Sequence, residues 1–196
     1  RNGYRQLVQL ITQGRRAAPK GHYQLSLSDI GEGGLADCLA LLPCNPNLTA
    51  EDQLKERYTS LTQYADSIKT FMPGCTWLAV EQSTSGFDHQ HLTALRTIGK
   101  KLSLPLVATG NVHMHSRSRQ PLQDILTTIR LGTTIDAAGH CLFSNGERHL
   151  RSPILLQRLY PPALLQQSLA ISEQCSFSLT ELHYQYPRGV IPHPLN

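Results

Sequence analysis

Apolar residues recur at helical spacing in four stretches of the chain. Tyr4, Leu7, Val8, Leu10 and Ile11 lie largely on one side of a helix over residues 4–14, with Gly14 as its stop. A longer run follows from Glu51, where Leu54, Tyr58, Leu61, Tyr64, Ile68 and Phe71 stand three and four apart. Thr49 precedes it as a candidate cap and Met72-Pro73-Gly74 closes it. Leu92, Leu95, Ile98 and Leu102 predict a third helix, opened by Asp88. Leu122, Ile125, Leu126 and Ile129 predict a fourth, behind a cap at residues 116–119 and ended by Gly132. Between these lie short apolar runs at residues 39–42, 75–81 and 106–108, which read as buried strands, while the alternation at 23–27 reads as a brief exposed one. Three successive strand-helix units predict a parallel sheet or barrel.

The last third has another rhythm. Residues 142–148 carry a turn, and Ser152-Pro153 leads into a short helix through Leu159. Pro161-Pro162 suits the first turn of a further helix, with Leu164, Leu165, Leu169 and Ile171 facing inward. From Ser176 the chain is polar and proline-rich, as a linker would be.

The candidate chemistry sits where the strand from Pro105 changes character. Leu106-Val107-Ala108 gives way through Thr109-Gly110 to Asn111, His113 and His115. If the extended form persists, residues two apart share a face, and an amide and two imidazoles gather at the end of a buried strand. Glu81 ends the neighbouring strand and adds a carboxylate. Strand ends are where α/β folds keep their sites, and a metal site needs ligands converging from several of them. The residues alone leave two readings open: a metal site at Glu81, Asn111 and His113, or histidines that simply hydrogen-bond at a loop.

Other polar groups read as background. Gly31-Glu32-Gly33-Gly34 is a turn and no phosphate loop, since no Lys-Ser/Thr follows it. Ser144 and Ser152 lack a nucleophile-elbow setting, His140 points away from Cys141 in an extended chain, and His89 and His91 do not share a helix face. Arg148, Arg151 and Arg158, with Lys100-Lys101, Arg117 and Arg119, read as solvated surface rather than a basic binding face.

Composition narrows the class. Of 196 residues, 40% are hydrophobic and 16% charged, which suits a globular chain and excludes a disordered one. No apolar run approaches the roughly 20 residues that span a bilayer, so no membrane role is expected. The formal charge of +4 is compatible with phosphate contact without arguing for it. Five cysteines without a C-x-x-C pair read as free buried thiols in a reducing, cytoplasmic setting. The chain enters a helical pattern at once, without an initiator Met or signal-like start, and is expected to be a fragment.

One combination of motifs is more specific than these patterns. Val107-Ala108-Thr109-Gly110-Asn111-Val112-His113-Met114-His115-Ser116-Arg117-Ser118-Arg119 resembles the last metal motif of the polymerase-and-histidinol-phosphatase (PHP) domain in bacterial C-family DNA polymerases. More narrowly, it is similar to the error-prone paralogues of the polymerase III α subunit. Tyr4-Arg5-Gln6-Leu7, Gly14-Arg15-Arg16, Leu122-Gln123-Asp124-Ile125-Leu126, Asn145-Gly146-Glu147-Arg148-His149-Leu150-Arg151-Ser152, Leu159-Tyr160-Pro161-Pro162 and Tyr184-Gln185-Tyr186-Pro187 extend the resemblance over nearly the whole chain.

The resemblance implies part of a distorted (βα) PHP-type barrel, with a helical C-terminal segment leading toward a polymerase region. Residues 1–140 would be the C-terminal part of the PHP domain and 141–196 the connection. The family motif is Asp-x-His, and this chain has Asn111-Val112-His113, so a vestigial metal site at His113, Asn111 and Glu81 is implied, with Mn²⁺ or Zn²⁺ as its ions. The full-length protein would be a DNA-directed DNA polymerase copying past damage, using Mg²⁺, DNA and dNTPs at carboxylates outside these residues, and meeting other damage-response replication proteins. The fragment itself would not polymerise. A stand-alone metal-dependent phosphoesterase and a non-enzymatic replication-protein interaction module are the alternatives.

Overall fold

Three parallel strands carry the structure, a computed structural model that describes residues 1–44 and 51–183, with backbone alone at 51–55. Strands β1 (Ala40–Pro43), β2 (Thr76–Glu81) and β3 (Leu106–Thr109) lie side by side in chain order. Pairing of Pro43 with Ala79 and of Glu81 with Thr109 brings the carboxyl ends of all three to one edge.

β2 is buried at every residue because it is central and covered on both faces. On one face Leu78 and Val80 join Leu61, Ala65 and Ile68 of α3 (Glu51–Phe71) and Leu92, Leu95 and Ile98 of α4 (Asp88–Leu102) in one apolar cluster. On the other, Trp77 Nε1 donates to Gln167 Oε1 of α8 (Pro162–Gln174) at 2.9 Å. Successive strand residues face opposite sides, so one apolar run feeds two layers. Leu78, Val80 and Leu95 are wholly buried, and each contributes roughly 1.5–3 kcal/mol by leaving water. The α/β class and parallel sheet follow the sequence expectation. The barrel does not appear among the described residues, where the sheet is open and three-stranded.

The helices from 4, 51 and 92 onward lie where their spacing predicts, the first as α1 (Asn2–Arg16). Several other expectations change. Residues 23–26 form no strand: Ser26 instead accepts from Asp29 N and Asp29 caps back, a capping box that opens α2 (Leu27–Glu32) and outweighs the alternation. That helix absorbs Gly31 and Glu32, leaving Gly33 and Gly34 to make the turn. β1 is an edge strand, so only Leu42 of its four residues is buried. Asp88 is inside α4 rather than its cap, and its carboxylate accepts from Ser85 Oγ at 2.8 Å.

The largest departure is α5 (Gln120–Leu131), which Gly132 closes as expected. Its buried residues are Thr127 and Thr128, whose hydroxyls bond back to Gln123 O and Ile125 O. Leu122, Ile125, Leu126 and Ile129 are exposed, the last by 70%. Among the described residues no layer covers that apolar face. α6 (Ile135–Ala138) follows, and α7 (Pro153–Leu159) lies where the short helix was expected, with Ser152 as its cap. In α8, Leu164 is buried but Leu169 points outward. All five cysteines are free, yet only Cys44 is buried, and Cys141 and Cys175 are exposed. Thr49, the loop at 45–47, the side chain of Leu54 and the motif and linker beyond residue 183 lie outside the described residues. No described helix is long and apolar enough to cross a membrane.

Candidate functional site

The carboxyl ends of β2 and β3 hold one polar cluster. β3 stops at Thr109, and Asn111 takes φ +41°, a left-handed conformation that Asn tolerates better than most residues. The extended register is therefore broken before His113 and His115. Asn111 and His113 still meet: His113 Nε2 lies 3.1 Å from Asn111 Oδ1. An amide oxygen only accepts, so the proton is on Nε2. The other end of the same amide donates to Glu81 Oε2 at 3.1 Å. Three of the four residues picked from the sequence are thus joined in a row, Glu81–Asn111–His113. His115 is exposed, and no described contact joins it to them.

The segment after residue 142, expected to be a turn with solvated charges, completes the cluster. Asn145 Nδ2 donates to Ser83 O at 2.8 Å, and Gly146 packs so tightly on Arg117 that an added Cβ would lie 2.9 Å from its Cγ. Glu147 receives Arg117 at 2.7 Å and Arg151 at 3.6 Å. Arg151 also donates to Gln82 O at 2.7 Å, at the end of β2. The chain then runs parallel to residues 113–114, with a bridge between Met114 and His149. Arg148 O accepts from the backbone of His113 at 2.9 Å and Met114 at 3.1 Å.

This seats the Arg148 side chain against the sheet end. Its Nη1 lies 3.1 Å from Glu81 Oε2, and the two side chains are 4% and 7% exposed. The guanidinium also stands 4.6 Å over the Phe143 ring, on which the His113 ring packs at 4.9 Å. Arg148 and Arg151 are therefore not solvated surface, as their charge alone suggested. They are buried because Glu81, Glu147 and a strand-end carbonyl face them.

A divalent ion does not fit the cluster in this arrangement. Of Glu81, Asn111 and His113, Glu81 is the one carboxylate, and its Oε2 already receives an arginine N–H and an amide N–H. Among the described residues no group of three His, Cys, Asp or Glu side chains is placed to hold a metal. The cluster ties β2, the turn after β3 and the 145–151 segment together.

A second polar pair joins α3 and α4 and includes a histidine expected to be background. His91 of α4 is 1% exposed, and its Nδ1 lies 2.8 Å from Tyr58 Oη of α3. Burial lowers the imidazole pKa, so the ring is held neutral. Burial likewise pushes Tyr58 up to about 12 and the Cys44 thiol to about 11. The helical period does predict position 91 one residue before the apolar Leu92, and that adjacency was the available signal. Tyr160, recovered in sequence only as part of a motif, accepts from Gln82 N at 3.0 Å and donates to Thr109 O at 2.8 Å, linking the ends of β2 and β3.

No protein-family model matches the chain. Curated relatives do. It is 43% identical over 196 residues to the error-prone DNA polymerase of Dechloromonas aromatica (strain RCB), covering 98% of this chain and 18% of that protein. Against the error-prone DNA polymerase of Methylococcus capsulatus it is 45% identical over 192 residues, covering 98% and 17%. Against that of Pseudomonas aeruginosa it is 43% identical over 193 residues, covering 97% and 17%. The chain spans less than a fifth of the length of these relatives, and its sequence aligns with one segment of each.

Proposed function

We propose that the chain works as a non-catalytic, PHP-type segment of an error-prone DNA polymerase. The observation that carries the reading is a similarity extending over 98% of the chain to proteins bearing that name. In this reading residues 1–140 are the C-terminal part of a PHP domain, and 141–196 connect it to the polymerase region. The open parallel sheet is then a section of a distorted barrel. The whole protein would extend primers on damaged DNA by nucleotidyl transfer, with dNTPs as substrates and divalent ions held by carboxylates outside these residues.

Within that protein the segment's part is mechanical. Glu81, Asn111 and His113 stand where a metal site of the PHP type would lie, as its vestige. Their bonds are spent on one another and on Arg148, which supports a role in holding the strand ends rather than in turnover. A cluster committed in this way offers no open position for a substrate oxygen.

Two assays test this. Primer extension is expected from the full-length protein and not from these 196 residues alone. With p-nitrophenyl phosphate and Mn²⁺, the chain is expected to release no nitrophenol above a His113→Ala control. Nucleotide incorporation by the chain alone would overturn the assignment of synthesis to other parts of the protein. Mn²⁺-dependent hydrolysis lost in His113→Ala would make the segment a phosphoesterase instead.

A further inference from the structure

We propose that Arg148 is the built-in cation of the strand-end cluster, its guanidinium standing in the electrostatic place that a divalent ion would take among Glu81, Asn111 and His113. The inference is argued from the geometry of the cluster and rests on the reading of Glu81, Asn111 and His113 as the vestige of a metal site.

Charge balance is the first support. The Glu81 carboxylate and the Arg148 guanidinium are both almost wholly buried and 3.1 Å apart, so the guanidinium supplies that carboxylate's counter-charge. A divalent cation beside Glu81 would meet a guanidinium that already offsets that carboxylate, and the two cations would repel each other. Asn111 is the second support. As a neutral amide it donates to Glu81 and accepts from His113 at once. A carboxylate at that position has no proton to give Glu81 and would set a second negative charge beside it. An amide there suits a carboxylate that already has its counter-charge.

The third support is how firmly Arg148 is held. Its own carbonyl fixes the backbone of His113 and Met114, so the residue that supplies the charge also positions the imidazole beside it. The Phe143 ring lies under the guanidinium and against the His113 ring. An arginine on a free surface arm would lack these constraints. This one is part of the strand end.

Removing the guanidinium should therefore open a latent cation site. Mn²⁺ binding is followed by the loss of the free-ion electron paramagnetic resonance signal, on the full-length protein, with each variant beside the wild type so that ions bound elsewhere cancel. Arg148→Ala is expected to gain one Mn²⁺ at least tenfold tighter than the wild type holds at this cluster. Arg148→Lys, which keeps a cation, is expected to gain none, and Glu81→Gln added to Arg148→Ala is expected to remove the gain. A folded Arg148→Ala protein with no extra Mn²⁺ overturns the proposal. So does a wild type that loses a bound Mn²⁺ when Glu81 becomes Gln. If Arg148→Ala does not fold, Arg148→Met, nearer in volume, takes its place. If neither folds, the wild-type Tm decides: no rise with added Mn²⁺ supports the guanidinium as occupant, and a rise abolished by His113→Ala refutes it.

Discussion

Glu81→Gln removes a charge and almost no volume from the centre of the network, so it isolates the electrostatics. In the folded chain the Glu81 and Arg148 side chains are 7% and 4% exposed. Their attraction is strong at 3.1 Å in a low-dielectric interior, but both groups lost hydration on folding, so the pair's net worth is small. Breaking it from one side is different. A guanidinium keeps its charge at any accessible pH, and Arg148 stays held by its backbone bonds to His113 and Met114. The Phe143 face offsets about 0.5–2 kcal/mol of that burial. The expected loss is about 3–5 kcal/mol, the range for a buried pair broken by removing one partner.

That loss is a large share of the 5–15 kcal/mol typical of a folded domain, and urea unfolding will read it. Trp77 is the only tryptophan, lies buried in β2 and bonds to α8, so its fluorescence follows the separation of sheet and helix. With a slope of about 2 kcal/mol per M, the midpoint should fall by about 2 M. Glu81→Leu with Arg148→Met removes both charges at similar volume and should return to within about 1 kcal/mol of the wild type. A Glu81→Gln midpoint within about 0.3 M of the wild type, or a double variant as unstable as the single one, would refute the reasoning.

Three further outcomes follow from other buried groups. His91 has a pKa lowered by burial, so the unfolded chain takes up its proton first and stability falls as pH drops below the unfolded value of about 6.5; urea midpoints at pH 7.5 and 5.5 should fall less in His91→Phe than in the wild type, and an equal fall contradicts the assignment. Tyr160→Phe strands Gln82 N–H and Thr109 C=O and should lose about 1–3 kcal/mol, with faster hydrogen exchange at Gln82 as the local check; unchanged exchange there rules out the bridge. Thiol labelling under native conditions should reach the exposed Cys141 and Cys175 first and Cys44 last, since Cys44 is buried and its thiol is pushed up to about 11; early mass-spectrometric labelling of Cys44 would contradict its burial.

What the sequence could reveal depended on the range of the interaction. Helical spacing over 92–102 placed a helix whose Leu92, Leu95, Ile98 and Leu102 are all buried, because periodicity is a local property that a partner layer only has to accept. The same spacing over 122–129 placed α5 correctly and its facing wrongly. A stripe of apolar residues shows which side of a helix avoids water, not whether a cover is at hand. At 23–27 an alternation of two residues competed with the Ser26–Asp29 capping box, and two specific hydrogen bonds prevailed over a weak pattern.

The site divides along the same line. Glu81, Asn111 and His113 could be read as strand-end residues because each ends or follows a recognisable apolar run. Arg148 could not, since it sits 67 positions from the carboxylate it pairs with, between Glu147 and His149 in a stretch that locally resembles solvated surface. Only the parallel passage of residues 148–150 beside 113–114 delivers it. Strand ends are rich in unmet hydrogen-bonding groups and gather whatever charge the topology brings to them. The residue types on the strands therefore nominate donors for an ion, while the segment that crosses them decides which cation those donors meet. In this chain that segment brings its own.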